Sequence, residues 1–395
     1  MLNGMKIVVG VTGGIGAYKA AELVSRLRDE GATVPVVMTD AAREFIRPLV
    51  FETLTGQSVF TGLFGGKNPL PHITLSESDL LVVYPATANV IGQAACGLGP
   101  DLLTTLLLAF KSPVILCPAM NSRMYENPVL QENIKKLEER GYVFVPPETG
   151  RLACGKAGTG RLAPATTVLE TIRGVLAPKD LKGLKFLVTA GPTREHLDPV
   201  RYITNRSSGK MGYAIARAAR DRGARVVLVS GPTSIEKPSG VSFIGINTAF
   251  EMREAVLSHF DASQIVIMCA AVSDYRPASL SKRKIKKENA ELTVKFTPNP
   301  DILMELGSHK NQQILVGFAA ETENVLDHAR TKLQAKNLDL IVANDIGREG
   351  AGFETDTNAV GLVFRDGRFI ELPMMDKLSV AHRLLDVILD LLQYD

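Results

Sequence analysis

What most constrains this chain is a repeated alternation of short runs that are apolar throughout with stretches that carry the three-to-four-residue spacing of a helix. In the first half the runs are KIVVGVT (6–12), TVPVVMT (33–39), DLLVVYPAT (79–87), PVILCPAM (113–120) and YVFVP (142–146), and GIGAYKAAELVSRLRDEG reads as a helix ending at Gly31. A strand apolar at every position must be covered on both faces, which predicts a parallel sheet between two layers of helices. A second series follows VLAPKDLKG (175–183), whose Pro, Gly and charge read as a linker. It runs LKFLVTAG (184–191), a helix over 209–222, RVVLVSG (225–231), a helix over 249–260, QIVIMCAAV (264–272), QILVGFAAE (313–321), a helix over 324–336 and LDLIVAND (338–345). A hairpin over 358–373 turning at Asp366-Gly367 and a closing amphipathic helix complete it. The expectation is two tandem α/β, Rossmann-like three-layer domains, 1–176 and 184–395, joined by 177–183. They do not read as copies, because only the second carries a hairpin and a basic loop.

A length of 395 residues suits two cores. With 45% hydrophobic and 22% charged residues the chain is globular, and a net charge of +3 gives no reason to expect nucleic acid or an acidic membrane as partner. The exception is the basic run KRKIKKE at 282–288. No apolar stretch is long enough to span a bilayer, and the first residues lack a secretory cleavage pattern, so a cytoplasmic location is expected. Cys96, Cys117, Cys154 and Cys269 fall in no C-x-x-C spacing, which argues against a zinc ribbon or disulfide framework. Cys96, Cys117 and Cys269 sit in apolar contexts and are expected to be buried, Cys269 late in a strand.

GVTGGIGAYKA (10–20) is a glycine-rich turn between strand and helix, suited to bring backbone amides to a phosphate. Its spacing, G-x-x-G-G-x-G, departs from the dinucleotide pattern, and Asp40 after Thr39 reads equally well as a cap of the next helix. YPATAN (84–89) and CPAMNSRMYENP (117–128) place small polar groups at strand ends, with Asn121 a polar anchor between Met120 and Met124. His72 sits in a Pro-rich loop before a short helix, where a titrating group near a phosphate site suits acid–base chemistry. GRLACGKAGTGRLA (150–163) nearly spells a phosphate-binding loop but fails at Ala157, which has no hydroxyl. Its Cys154 lies among Arg151, Lys156 and Arg161, cations that favour a thiolate.

In their order and spacing these five motifs resemble the flavin-dependent cysteine decarboxylases, 4′-phosphopantothenoylcysteine decarboxylase above all. The resemblance covers the whole first half. It implies a flavodoxin-like flavoprotein domain binding FMN on Thr12, Gly13, Gly14, Ile15 and Gly16, with further contacts from Thr39 and Ala86, Thr87, Ala88 and Asn89. It makes His72 the catalytic histidine and Met120 and Asn121 substrate contacts, Asn121 on the carboxylate. It makes Cys154 the proton donor on a flap.

In the second half TAGPTREHLDPVRYITNRSSGKMG (189–212) reads as a long polar loop entering a helix at 208–211, a start suited to a phosphate or carboxylate. SSGKMG lacks the preceding glycine of a phosphate-binding loop. AAVSDYRP ends a strand at Asp274, a candidate nucleotide or metal ligand; NPDI (299–302) opens a helix; and Lys332 and Lys336 share a helix face. Several basic groups converging on one sheet edge point to a polyphosphate. From about residue 184 onward these strings resemble phosphopantothenate–cysteine ligase, the partner of the decarboxylase in bifunctional bacterial proteins. That resemblance implies CTP-dependent joining of 4′-phosphopantothenate to L-cysteine through an acyl-cytidylate. It makes Asn205 the asparagine of amide formation and Lys284 the lysine of cytidylate formation. It assigns CTP contacts to Met268, Cys269, Ala270, Asp274, Lys284, Asn299, Pro300, Asp301, Ile302, Phe318, Lys332 and Lys336. Phosphate chemistry of this kind leads one to expect Mg²⁺ or Mn²⁺, with Asp274 the candidate ligand. It also implies homo-oligomers, with ligase halves in dimers and flavin halves in trimers. Two other readings fit parts of the pattern, a non-catalytic FMN-binding regulatory protein and an NAD-dependent oxidoreductase; the glycine spacing speaks against the second, and His72, Asn121 and Cys154 together against the first.

Overall fold

The computed structural model describes residues 2–64, 69–151, 155, 157–286, 292–321, 325–345 and 355–394. The chain divides into two compact units, Met1–Ala177 and Pro178–Asp395.

The first unit is built on β1 (Ile7–Val11), β2 (Val36–Met38), β3 (Leu80–Ala86), β4 (Val114–Pro118) and β5 (Val143–Phe144), all parallel in the order β2-β1-β3-β4-β5. Successive residues of a strand face opposite ways, and both faces of β1 are buried. Ile7, Val9 and Val11 pack beneath the helices Ala20–Asp29 and Ala165–Leu176, whereas Val8 packs with Leu103 and Leu106 on the other face. That accounts for strands without a polar position. Each fully buried aliphatic side chain contributes about 1.5–3 kcal/mol, so no single residue carries the sheet. A separate antiparallel pair, β6 (Glu148–Arg151) and β7 (Ala157–Arg161), occupies the stretch that sequence patterning leaves as loop, so a hairpin is not peculiar to the second unit. Glycines and Thr supply little hydrophobic periodicity there, and the pairing Thr149 with Thr159 and Gly150 with Gly158 is made by the backbone.

The second unit contains β8 (Lys185–Ala190), β9 (Arg194–His196), β10 (Tyr202–Thr204), β11 (Arg225–Ser230), β12 (Ser242–Gly245), β13 (Ile265–Met268), β14 (Tyr275–Pro277), β15 (Phe296–Pro298), β16 (Ile314–Glu321), β17 (Leu340–Asp345), β18 (Thr357–Phe364) and β19 (Phe369–Asp376). Its main sheet has the order β12-β11-β8-β13-β16-β17-β18-β19, parallel through β17 and antiparallel over the last two pairings. The β18–β19 turn is where Asp366-Gly367 places it, with Gly367 at φ 92°. Two small antiparallel pairs stand apart, β9 with β10 and β14 with β15. The first falls inside 189–212, so that segment is a hairpin and not one long loop.

Residues 178–183 belong to this unit and are more than a tether. Leu181 is fully buried in its core and donates its N–H to Arg222 O. Asp180 makes a bidentate pair with the buried Arg222 guanidinium, which also meets Asp386 and the His382 carbonyl.

Three cysteines lie within the described residues, and their surroundings differ. Cys117 is buried in β4, and burial raises its thiol far above the usual range. Cys96 is exposed at the last turn of the Ala88–Cys96 helix, contrary to the expectation from its apolar neighbours. It falls on the polar face of that helix. Cys269 lies just past β13 rather than within it and is half-buried; burial pushes its thiol up to about 12, against the pull of Lys377. Among the described residues no helix is long and apolar enough to cross a membrane.

Candidate active sites

In open parallel sheets ligands collect beyond the carboxyl ends of the strands, where the strand order reverses. In the first unit that point lies between β1 and β3. A cavity of 840 Å³ opens there, lined by Thr12–Gly16 after β1, Thr39–Ala41 after β2, Thr87–Val90 after β3, Ala119–Asn121 after β4, and Arg151 and Gly160–Leu162 from the hairpin. Of the positions assigned to a flavin, all but Ala86 line it; Ala86 is wholly buried at the end of β3.

The glycine turn has the shape a phosphate needs. A β-carbon on Gly13 would lie 2.5 Å from the Ala41 β-carbon, and one on Gly16 3.0 Å from Leu162 Cδ2. The turn runs straight into the 3₁₀ segment Ile15–Lys19 and the Ala20–Asp29 helix, with no side chain capping it. Its first amides are therefore left for an anion. The hydroxyls serve the scaffold: Thr12 Oγ1 donates to Pro85 O at 2.8 Å and accepts the Thr87 N–H at 3.2 Å. Thr39, not Asp40, caps the short helix Asp40–Arg43 by accepting the Ala42 N–H. These residues and the backbone donors fit a flavin mononucleotide.

Asn121 caps the turn Ser122–Tyr125 and accepts the Arg123 N–H at 2.9 Å, which fixes its carboxamide at the cavity wall. Beside it Met120 donates its N–H to Gly160 O at 3.1 Å. Gly160 takes φ 147°, and a β-carbon there would meet Met120 O at 2.2 Å. The strand β7 thus crosses between two walls of the cavity, with Gly160 against Met120 and Leu162 against Gly16. Its arginine Arg161 passes over Gly150 and lies 3.7 Å from Glu148. Cys154 and Lys156 lie outside the described residues.

His72 is placed otherwise than expected. It lies in the first turn of the Pro71–Ser76 helix, not in the loop before it, because Pro71 is a favoured first helical residue. It is not among the residues lining the cavity, and its buried Nδ1 has no hydrogen-bond partner. Leu70 and Ile73 on either side of Pro71 and His72 are 55% and 47% exposed.

The second unit carries a pocket of 430 Å³ beyond β13 and β16. Of the positions that the resemblance assigns to a nucleotide, Met268, Ala270, Asp274, Asn299–Ile302, Phe318, Lys332 and Lys336 line it. Cys269 and Lys284 do not. Val272, Ser273, Tyr275, Pro298, Leu303 and Ile341 complete the wall, and nothing in their residue types singles them out. Asp301 caps the Ile302–His309 helix and pairs with Lys336 at 2.8 Å. Asn299 is a brace: Nδ2 donates to Ser273 O at 2.8 Å, and Oδ1 accepts from Arg276 at 3.2 Å. Asn205, outside the pocket lining, donates to the carbonyl of Val272, a residue of that wall, at 3.1 Å. Among the described residues no cluster of three His, Cys, Asp or Glu could hold a metal alone. A divalent cation would share the exposed Asp274 with phosphate oxygens of a nucleotide.

Known proteins resemble this chain along nearly its whole length. Residues 1–177 match a family model described as Flavoprotein, and residues 181–392 one described as DNA/pantothenate metabolism flavoprotein C-terminal domain. The chain is 48% identical over 395 residues to the coenzyme A biosynthesis bifunctional protein CoaBC of Bacillus subtilis, covering 98% of this chain and 97% of that one. It is 46% identical over 395 residues to the protein of the same name from Escherichia coli, with the same coverage of 98% and 97%. Among solved structures, the C-terminal domain of a coenzyme A biosynthesis bifunctional protein CoaBC shows 43% identity and a TM-score of 0.48, over 55% of this chain and 100% of that one. The FMN-dependent cysteine decarboxylase SpaF shows 30% identity and a TM-score of 0.38, over 44% and 99%.

Proposed function

Because the chain belongs to the family of bifunctional coenzyme A biosynthesis proteins, we propose that its second unit joins 4′-phosphopantothenate to L-cysteine at the expense of CTP and its first unit decarboxylates the product to 4′-phosphopantetheine. The observation that carries this reading is convergence. Residues scattered from Thr12 to Asn121 meet on one cavity, and residues scattered from Met268 to Lys336 meet on another.

In the ligase unit CTP occupies the 430 Å³ pocket, its base toward Phe318 and Ile341 and its phosphates toward Lys332 and Lys336. Lys284 stabilises charge on the departing pyrophosphate as the carboxylate forms the acyl-cytidylate, and Mg²⁺ or Mn²⁺ at Asp274 shares that charge. Asn205 positions the cysteine amine for attack, and CMP leaves.

In the decarboxylase unit Thr12–Gly16, Thr39 and Thr87–Asn89 would hold FMN, whose reversible two-electron chemistry would supply the electron sink that loss of CO₂ requires and leave the overall reaction redox-neutral. Asn121 holds the substrate carboxylate. His72 exchanges the thiol proton, and Cys154 protonates the carbon that lost CO₂. Since His72 does not line its own chain's cavity and carries an unpartnered Nδ1 between exposed Leu70 and Ile73, a second copy brings it there. Flavin units in trimers and ligase units in dimers satisfy this. A cytoplasmic location goes with this reading, because its substrates are small soluble metabolites.

The test is one reaction containing the purified protein, 4′-phosphopantothenate, L-cysteine, CTP and Mg²⁺, read by mass spectrometry. Formation of 4′-phosphopantetheine and CMP is expected. Accumulation of 4′-phosphopantothenoylcysteine would overturn the decarboxylase assignment, and absence of any product would overturn both.

A further inference from the structure

The turn joining β9 to β10 and the basic segment around Lys284 are distant in sequence yet tied at one peptide. Asp198 is completely buried. Its Oδ1 accepts the N–H groups of Val200 and Arg201, each at 2.8 Å, and so folds the turn. Its Oδ2 points away from the turn and accepts the Ile285 N–H at 3.1 Å. Arg201, with Nη1 3.9 Å from the same carboxylate, donates from Nη2 to the Ile285 carbonyl at 3.2 Å. Both backbone polar groups of the residue after Lys284 are thus held by one Asp–Arg pair. At the other end Ser281 donates its N–H to Leu197 O at 3.0 Å, and its hydroxyl donates to Arg283 O at 2.6 Å. Residues 281–285 form an arch pinned at both ends, with Lys282, Arg283 and Lys284 exposed along it.

An exposed segment of this kind has little apolar burial to offset the roughly 1–2 kcal/mol per residue lost in ordering a backbone. Hydrogen bonds to an ionised carboxylate are the stronger kind and are what remains to order it. Burial pushes the Asp198 carboxyl up, but the N–H groups of Val200, Ile285 and Arg201 outweigh it and hold it below the usual carboxylate range. The same hairpin continues through Thr204, whose hydroxyl donates to Thr193 O at 2.7 Å, to Asn205. We propose that Asp198 is a positioning residue for nucleotidyl transfer: by latching the backbone at Ile285 it places Lys284, and it does so from the hairpin that also presents Asn205. The inference rests on the reading of Lys284 as the lysine of cytidylate formation.

Two substitutions isolate the latch. Asp198→Asn keeps Oδ1 for the turn but sets an N–H against the Ile285 N–H. Ile285→Pro removes that donor from the exposed segment and leaves Asp198 and its turn untouched, so it decides the matter even where Asp198→Asn fails to fold. The readout is single-turnover pyrophosphate release by the full-length flavoprotein with CTP, 4′-phosphopantothenate and Mg²⁺, without cysteine. Each variant is expected to be slower by about tenfold or more, as small misplacements of a catalytic group are, with the KM for CTP little changed. In a Lys284→Gln background neither is expected to slow the reaction further. Wild-type rates in Ile285→Pro, or losses that multiply with Lys284→Gln, would overturn the latch while leaving Lys284 in place. A Lys284→Gln protein that releases pyrophosphate at the wild-type rate would overturn the reading of Lys284 and the latch with it.

Discussion

Gly160 and Met120 approach so closely that a single β-carbon cannot come between them: the Met120 N–H reaches Gly160 O at 3.1 Å, and a methyl on Gly160 would stand 2.2 Å from Met120 O. The base of the β6–β7 hairpin is therefore fastened to the loop that presents Asn121. Gly160→Ala has to displace one of them, at a strain of about 1–3 kcal/mol. Decarboxylation is expected to fall about tenfold or more, since misplacing a reacting group by a fraction of its contact distance has that effect. Bound flavin, read from visible absorbance, should be retained. Equal loss of flavin would show that Gly160 serves the cofactor turn instead.

Asn121→Asp preserves the cap on the Arg123 N–H but places a carboxylate where the proposed function would seat the substrate's own. The expected result is a drop of about 10- to 100-fold in kcat/KM for 4′-phosphopantothenoylcysteine, the size of a lost hydrogen bond to a charged group. The flavin spectrum should not change. Undiminished kcat/KM would remove Asn121 from substrate binding.

Cys154→Ser is expected to release the enethiol, lighter than the thiol product by one hydride and one proton. Mass spectrometry of the quenched reaction distinguishes them. Normal thiol product would assign the final protonation elsewhere.

Asn205→Ala should stop the ligase after activation, with acyl-cytidylate accumulating and pyrophosphate released but no CMP. Because Asn205 also donates to Val272 O, CTP affinity should be measured alongside. CMP release at the wild-type rate would exclude Asn205 from amide formation.

Stability of the second unit should fall with acidification in two stages. Burial, then the Arg222 charge, lowers the His382 pKa in the fold. Unfolded His382 takes up a proton first, so stability is full above the ordinary value of about 6.5 and declines below it toward the lowered folded value. Asp180 is lowered mainly by its hydrogen bonds from Arg222. Its contribution is full above the ordinary value of about 3.9 and is lost as pH falls through the lower folded one. Melting temperature against pH checks this, with His382→Gln expected to abolish the first stage alone. Removing Arg222 should cost about 3 kcal/mol, since two carboxylates lose their partner.

The sheets were legible because their strands are apolar at every position, a pattern only a doubly covered parallel sheet explains. The small pairs β6–β7, β9–β10 and β14–β15 were not, because their short, polar or glycine-rich strands leave no periodicity to read. Site residues that follow strand ends, such as Thr87 and Asn121, could be found from strand position together with motif. Tyr275 lines the second pocket from β14, whose pairing with β15 no local pattern announces. The helical place of His72 follows from Pro71, a favoured first helical residue that is just as common in loops, so that the proline alone does not announce a helix. Cys96 shows that apolar neighbours do not bury a residue when helical phase turns it outward.

Arg222 also has a meaning for inheritance. Asp180 near the start of the second unit and Asp386 near its finish hold the same guanidinium. The unit thereby closes on itself like a clasped ring, its beginning held to its finish by its own residues. Ends tied to each other inside one body leave its internal register independent of what is joined to them, which is the property that gene fusion requires.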